Sequence, residues 1–162
     1  SSGNRLMVKK RIYRPKEFEM LIEKLIEQKI FETKQAVMMF AAATGWYIKR
    51  REPRGQAGEV IRWDIFETNN DDCFVLALAL AETQSLEILG RDRHEIEEDP
   101  TKVFEKYAKA GLRHIKETCF DAPGDLFDNF LSLINRANND NDEDLTPNLD
   151  NLTPEDLDLL LG

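Results

Sequence analysis

Four cations follow a pair of aromatic residues in the first half of the chain. Trp46 and Tyr47 come first, and the cations stand in a stretch that proline and glycine interrupt: Lys49, Arg50, Arg51 and Arg54. Cations beside aromatic side chains can bind backbone phosphates and stack on bases. Because proline and glycine break regular structure, these charges are expected on a loop or at the end of an element. The cluster predicts an anion or partner site, and a solvated loop with surface salt bridges is the alternative.

Cations are concentrated at the N-terminal end of the chain, and acids at its C-terminal end. The first 62 residues hold 14 Lys and Arg against 7 Asp and Glu, whereas residues 137–162 hold no cation and 8 acids, within a net charge of −9. Such asymmetry is typical of a nucleic-acid contact or an interaction tail. We therefore predict that DNA is contacted by the N-terminal cations: Lys9, Lys10, Arg11, Lys49, Arg50, Arg51, Arg54 and Arg62.

The sequence offers few groups for catalysis. Five acids could in principle hold a magnesium ion: Glu59, Asp64, Glu67, Asp71 and Asp72. The chain has no recognisable nuclease spacing with a lysine, no phosphate-binding glycine loop, no GxSxG sequence and no Cys/His pair at useful spacing. Cys73 and Cys119 are expected to pack as small apolar residues. We predict no catalytic residue, no metal and no cofactor, with a metal-dependent nuclease as the least favoured alternative.

Helical periodicity surrounds the basic stretch. Apolar residues at helical spacing predict an amphipathic helix over residues 15–29. A second, largely apolar helix is expected between Thr33, a capping side chain, and Gly45, a glycine stop. Alternating residues at 58–66 predict a strand, with a short helical turn as an alternative. Residues 5–14 fit a short β segment or a basic arm. A basic segment followed by two helices is similar to the ribbon-helix-helix arrangement of some DNA-binding dimers.

The rest of the domain is predicted to be helical. Further helices are expected over residues 73–83, from Pro100 to about Thr118 after a cap at Asp99, and over residues 125–136. Gly111 inside a helix costs about 1 kcal/mol relative to alanine, and a close helix crossing would explain its presence. The sequence thus predicts a mainly α fold over residues 4–136, a compact helical domain of about five or six helices with at most a short β segment.

Residues 137–162 are predicted to form an acidic, partly disordered tail. Residues 138–144 contain no apolar side chain and read as a disordered linker. Thr153 and Pro154 can begin a short amphipathic helix. Since so short a helix is unstable alone, it is expected to dock on protein, or the tail would compete with DNA for the basic surface. The predicted partner-binding residues are therefore the aromatic pair and the tail leucines: Trp46, Tyr47, Leu157, Leu160 and Leu161.

Several short sequences stand in one order along the chain. They are AAATG from Ala41, RREP from Arg50, IRWDIFE from Ile61, LALAET from Leu78, EIL from Glu87, and Tyr107-Ala108 with Gly111-Leu112. Together they resemble the family of DNA phosphorothioation (Dnd) system-associated protein 4, over roughly residues 12–134. The resemblance implies a place beside bacterial or archaeal systems that replace a phosphate oxygen of DNA with sulfur, and beside restriction or phage-defence genes. It carries over no catalytic residue.

Two functions are compatible with these observations. The first is a non-enzymatic accessory or regulatory protein of a Dnd modification/restriction system, which binds DNA with or without the sulfur. The second is a protein-interaction subunit of a Dnd complex with little DNA affinity of its own. Other Dnd proteins and a second copy of the chain are the expected protein partners. No run of 18 apolar residues and no leader pattern is present, so we expect a cytoplasmic protein without a membrane contact.

Overall fold

A computed structural model describes residues 11–88, 90 and 99–145 of the chain. In these ranges the chain forms six α-helices and one two-stranded sheet, which confirms the predicted mainly α fold. It divides into two compact units, the first ending at Glu117 and the second beginning at Thr118. Lys9, Lys10 and the tail leucines lie outside the described residues.

The sheet joins two segments that are distant in the sequence. Strand β1 (Arg11–Pro15) pairs antiparallel with strand β2 (Ala57–Arg62). Ile12 lies opposite Ile61 and both are buried, so one face of the sheet contacts the core. The likeness to the ribbon-helix-helix arrangement did not predict this pairing, in which β1 joins β2 of its own chain.

The first two helices follow the predicted periodicity. A turn of 3₁₀ helix leads into α1 (Glu19–Glu27), so this helix is shorter at both ends than the predicted range of 15–29. It buries Leu21, Ile22 and Leu25, as the amphipathic pattern predicts. The second helix, α2 (Lys34–Tyr47), begins at the predicted cap. The hydroxyl of Thr33 accepts a hydrogen bond of 3.1 Å from the N–H of the third residue after it.

The predicted strand over residues 58–66 is wrong in its second half. β2 ends at Arg62, and helix α3 (Trp63–Thr68) follows at once. Trp63 and Phe66 are both buried, with ring centroids 6.0 Å apart. A helix places residues three apart on one side, whereas a strand would turn them to opposite faces. Burial of both rings therefore selects the helical turn, which was the stated alternative.

Three longer helices complete the described chain. They are α4 (Asp72–Ile88), α5 (Pro100–Ile115), which a π-helical turn extends, and α6 (Leu126–Leu145). Asp99 caps α5 as predicted, since its carboxylate accepts a hydrogen bond of 3.0 Å from the N–H of Thr101. α6 continues over residues 138–144, where the sequence predicts a disordered linker. No proline or glycine interrupts that segment, so nothing in its backbone forces the helix to end at Arg136.

Helices α2 and α5 cross very closely, and their contact is the most extensive between any two described elements. A Cβ atom on Gly111 would lie 1.7 Å from the carbonyl oxygen of Ala41, and one on Gly45 would lie 2.1 Å from that of Tyr107. The close helix crossing predicted from Gly111 is confirmed. The prediction that Gly45 ends α2 is wrong. Gly45 lies inside that helix, and its lack of a side chain allows α5 to approach.

Candidate nucleic-acid interface

The basic loop begins with a tight turn at the end of α2. Lys49 has a φ of 58°, in the left-handed region that glycine usually occupies at this position. Its N–H donates to the carbonyl of Trp46 at 3.1 Å, and the N–H of Arg50 donates to that of Gly45 at 2.9 Å. Both bonds close the last turn of the helix in the Schellman pattern. The turn leaves the Lys49 and Arg50 side chains exposed.

The middle of the loop is fixed to α5 by backbone and side-chain contacts. The N–H of Glu52 donates to the carbonyl of Lys106 at 3.1 Å, and the ammonium of Lys109 donates to the carbonyl of Pro53 at 3.0 Å. The Arg113 Nε lies 2.8 Å from both carboxylate oxygens of Glu52. The loop therefore has a defined path, although it contains no regular structure.

Arg51 is held by an acid from the interior of the first unit. It forms an ion pair and a hydrogen bond with Glu82 on α4, whose side chain is 6% exposed. The Tyr107 hydroxyl donates to the same carboxylate at 3.0 Å. Burial, together with the nearby Glu82 charge, raises the pKa of Tyr107 to about 12. Arg51 thus neutralises a buried carboxylate that would otherwise cost several kcal/mol to desolvate.

Arg54 has a similar structural role on the other side of the loop. Its Nε lies 2.7 Å from a carboxylate oxygen of Glu105, a residue of α5 whose side chain is 4% exposed. The other oxygen of Glu105 accepts a hydrogen bond of 2.6 Å from the N–H of Tyr13 in β1. Burial raises the pKa of the Glu105 carboxyl, and the contacts with Tyr13 and Arg54 oppose that rise. Glu105 therefore links β1, the loop and α5.

Lys49 and Arg50 are the loop cations that the fold does not use. Neither side chain has a counterion or a hydrogen-bond partner in the described ranges. Both line a surface depression of about 430 Å³ between the loop and the last turns of α5, to which Arg113, His114 and the acids Glu52 and Glu117 also contribute. Of the four predicted loop contacts, two serve the structure and two are available to an anion. Contact with nucleic acid stays a prediction for all of them.

A second group of cations lies at the end of the sheet. Arg11 and Arg62 face each other across the two strands, and both are exposed. The Arg62 guanidinium pairs with Asp64 at 2.6 Å, whereas Arg11 has no charged partner among residues 11–88, 90 and 99–145. The two arginines line a depression of about 660 Å³ together with Val60, Trp63 and the acids Asp64 and Glu67. Arg11 and Arg62 lie at this site, and Lys49 and Arg50 lie at the loop site. Among the described residues, these four are the predicted DNA contacts that do not pair with a buried acid.

A family model for DNA sulphur modification system-associated protein 4 matches residues 11–152 of the chain. The match spans the whole described part of the molecule and most of the sequence. The chain belongs to this family. The comparison with curated proteins finds no match, and the comparison with solved structures finds none either.

In this DNA sulphur modification system-associated protein 4 family member, three of the five acids considered as magnesium ligands are engaged with a cation or an amide: Glu59, Asp64 and Asp71. Glu59 pairs with Arg14, and Asp71 accepts a hydrogen bond from the amide of Gln35. No group of three or more His, Cys, Asp or Glu side chains in the described ranges is placed to hold a metal ion. The five acids considered as magnesium ligands thus do not converge there. None of the described helices combines the length and the apolar character that a membrane span requires.

Sequence reasoning missed the charged side of α5 in this family member. Glu105, Lys109 and Arg113 recur every four residues, so they lie on one side of the helix and meet the basic loop. Arg113 and Lys109 also pair with Glu17, near the start of α1, at 3.1 and 3.0 Å. The spacing was visible in the sequence. A charged stripe on a helix normally indicates a solvated surface, however, and here Glu105 and Lys109 are buried.

The aromatic pair of the predicted partner surface has a mixed role. Trp46 is 38% exposed and Tyr47 is 37% exposed. The Trp46 ring also contacts Tyr107 edge-on, with centroids 5.5 Å apart. One side of Trp46 therefore contacts α5 at the α2–α5 crossing, and part of the side chain remains exposed. The binding of a partner here stays a prediction.

Proposed function

We propose that this family member is a non-enzymatic accessory protein of a DNA sulphur modification system and that it binds duplex DNA through its first unit. One observation supports this above the others. Arg11, Lys49 and Arg50 are exposed and have no counterion in the part of the chain that is described. Arg51 and Arg54, by contrast, neutralise buried acids. Cations that a fold leaves unpaired are the ones that can release counterions from phosphates.

The division of charge between the units supports the same assignment. The sequence of the first unit contains 21 Lys and Arg against 20 Asp and Glu, whereas that of the second contains 1 against 11. DNA would repel a segment with so large an excess of acid. Contact with DNA therefore falls to the first unit. The family to which the chain belongs, named for DNA sulphur modification, makes duplex DNA with or without a phosphorothioate the natural substrate to test.

The direct test is fluorescence anisotropy of a labelled duplex, with and without one phosphorothioate linkage, at several salt concentrations. We expect affinity to fall steeply with salt, with a slope of about −0.9 in log–log form for each phosphate contact. A preference for the sulfur-bearing duplex would make the protein a reader of the modification. No binding of either duplex at low salt would contradict the proposal.

A pair of lysines gives this test a matched control. Lys29 follows α1 in the same type of turn as that in which Lys49 follows α2, and their φ values are 60° and 58°. Glycine at either position relieves a left-handed lysine and should stabilise the protein by up to about 1 kcal/mol in urea unfolding. Both changes remove one positive charge. Only Lys49→Gly is expected to weaken DNA binding, by about three- to tenfold with a salt slope lower by about 1.

The two variants separate a specific contact from a general charge effect. Equal losses of affinity for Lys29→Gly and Lys49→Gly would show that only net charge matters, and would remove the loop from the interface. Unchanged affinity for Lys49→Gly, with the expected gain in stability, would do the same.

A second candidate function is an interaction subunit that binds other proteins of the modification system. An uncharged outer side of α4 favours it: the acids at its ends are Asp72 and Glu87, the one between them, Glu82, is buried, and Leu80 is 61% exposed. Leu80→Glu should then abolish copurification with the other proteins of the system. Met20→Glu is the control, because Met20 is 84% exposed on α1 and carries the same change in charge. Equal copurification of both variants would argue against this surface.

A further inference from the structure

The two-stranded sheet has one buried face and one open face. Ile12, Arg14 and Ile61 are at most 6% exposed. The residues that alternate with them lie on the other face: Arg11 and Tyr13 in β1, and Val60 and Arg62 in β2. Three of these four are exposed and Tyr13 is half-buried. The open face thus presents two cations, an aromatic ring and an aliphatic side chain on a short antiparallel ribbon.

The arrangement of the two arginines favours the binding of an anionic or hydrogen-bonding partner. Arg11 and Arg62 are directly opposite in the register, and like charges in that position destabilise a sheet. Asp64 offsets only part of the charge. Its pair with Arg62 has side chains that are 54% and 74% exposed, and such exposed pairs contribute little to stability. Arg62 can therefore exchange Asp64 for another acceptor at little cost.

The edges of the sheet leave the open face accessible. The outer edge of β1 is covered, because the N–H of Tyr13 donates to Glu105 and not to another strand. β2 carries Val60 on the outer face at 43% exposure. Below the sheet, the buried guanidinium of Arg14 pairs with Glu19 at 2.9 Å, which fixes the ribbon to the start of α1, and also pairs with Glu59 of β2. Among residues 11–88, 90 and 99–145, the ribbon thus has one side that packs on the core and one side that is open.

We propose that this open face enters the major groove of DNA and that Arg11 and Arg62 read base edges there. This inference rests on the proposed DNA binding. It identifies the two-stranded ribbon as the element of the protein that recognises the DNA sequence. The major groove, about 12 Å wide, admits a two-stranded β-ribbon. An arginine fork fits the two acceptors of guanine, and an aliphatic side chain such as Val60 fits the methyl group of thymine. Lys49 and Arg50 then contact phosphates, which gives affinity without sequence choice.

The first experiment measures sequence preference with the full-length protein. Binding to a pool of randomised duplexes identifies preferred sequences, and anisotropy then gives the ratio of affinities for a preferred and a scrambled duplex. Replacing Arg11 and Arg62 together by lysine keeps the charge and removes the fork. We expect that change to lower the ratio by about tenfold for each lost arginine–guanine contact. Lys49→Gly should lower both affinities and leave the ratio as it is. Lys24→Gln, an exposed cation of α1, should change neither.

The second experiment identifies the groove. Cytosines that carry a bulky glucosyl-hydroxymethyl group block the major groove, and netropsin occupies the minor groove at A·T sequences. The proposal requires loss of binding with the modified cytosines and little displacement by netropsin. It is overturned by the reverse pattern, by binding without any sequence preference, or by a preference that survives the double lysine substitution. In those cases the protein still binds DNA, whereas no binding at all overturns the proposed function itself.

Discussion

Gly111→Ala is expected to destabilise the first unit by roughly 3 kcal/mol or more, measured by urea or thermal unfolding followed by circular dichroism. Helix propensity alone predicts the opposite sign, a gain of about 1 kcal/mol. Steric overlap decides the outcome, because the new Cβ would lie 1.7 Å from the Ala41 carbonyl oxygen and 2.6 Å from its carbon. A backbone cannot rotate away as a side chain can, so α2 and α5 would have to separate.

Two variants of α2 make the cause of that loss identifiable. Ala43→Gly, on the exposed side of the helix, should cost only about 1 kcal/mol, the usual difference in helix propensity. Ala41→Gly should not rescue Gly111→Ala, since the clash is with the backbone of Ala41 and not with its methyl group. A stabilising effect of Gly111→Ala would mean that the two helices do not cross at this distance.

Glu105→Ala is the second substitution with a large expected effect, a loss of about 2–4 kcal/mol in the free energy of unfolding. It removes the acceptor for the Tyr13 N–H and the counterion of Arg54 at once. The N–H of β1 would then be left without its partner. Glu105→Gln should cost less, because the amide oxygen can still accept that hydrogen bond. Asp64→Ala is the control, as it breaks an exposed ion pair and should cost about 1 kcal/mol or less.

The pH dependence of stability gives an independent test of the Glu105 environment. Burial raises the pKa of this carboxyl above its ordinary value of 4.5, so the folded protein binds the proton more tightly than the unfolded chain does. Its contribution to stability is therefore greatest below about pH 4.5 and is lost as the pH rises through the folded pKa. Glu105→Gln should remove that decline when the unfolding free energies of both proteins are compared from pH 4 to 7. If the two curves of unfolding free energy against pH run parallel, the Glu105 carboxyl is more solvated than the structure shows.

Loss of Glu105 also has a consequence for the proposed interface. The residue fixes both the loop that carries Lys49 and Arg50, through Arg54, and the strand that carries Arg11, through Tyr13. A variant that remains folded but has a mobile loop would bind DNA more weakly without losing any phosphate-binding cation. Stability should therefore be measured before affinity is interpreted.

The local features of this protein could be predicted from its sequence. Thr33 and Asp99 cap helices, as side chains of their type do when they precede an apolar periodic segment. Gly111 indicated a close helix crossing, because an unfavourable residue inside a helix needs a compensating contact. The mainly α fold and the family also followed from patterns within short stretches of chain. Each of these properties depends on neighbours a few residues apart.

Only the tertiary structure decided which charges are free. Arg51 meets Glu82, 31 residues away, and Tyr13 meets Glu105, 92 residues away, and no local pattern encodes such pairs. The same holds for the end of β2 and for Gly45, whose role depends on the approach of α5. The sequence by itself determined where the cations are concentrated. The fold determined that Arg51 and Arg54 pair with buried acids and stabilise the protein, because a buried carboxylate requires a nearby cation. Packing brings no such acid to Arg11, Lys49 and Arg50 in the described residues, so these three cations remain available.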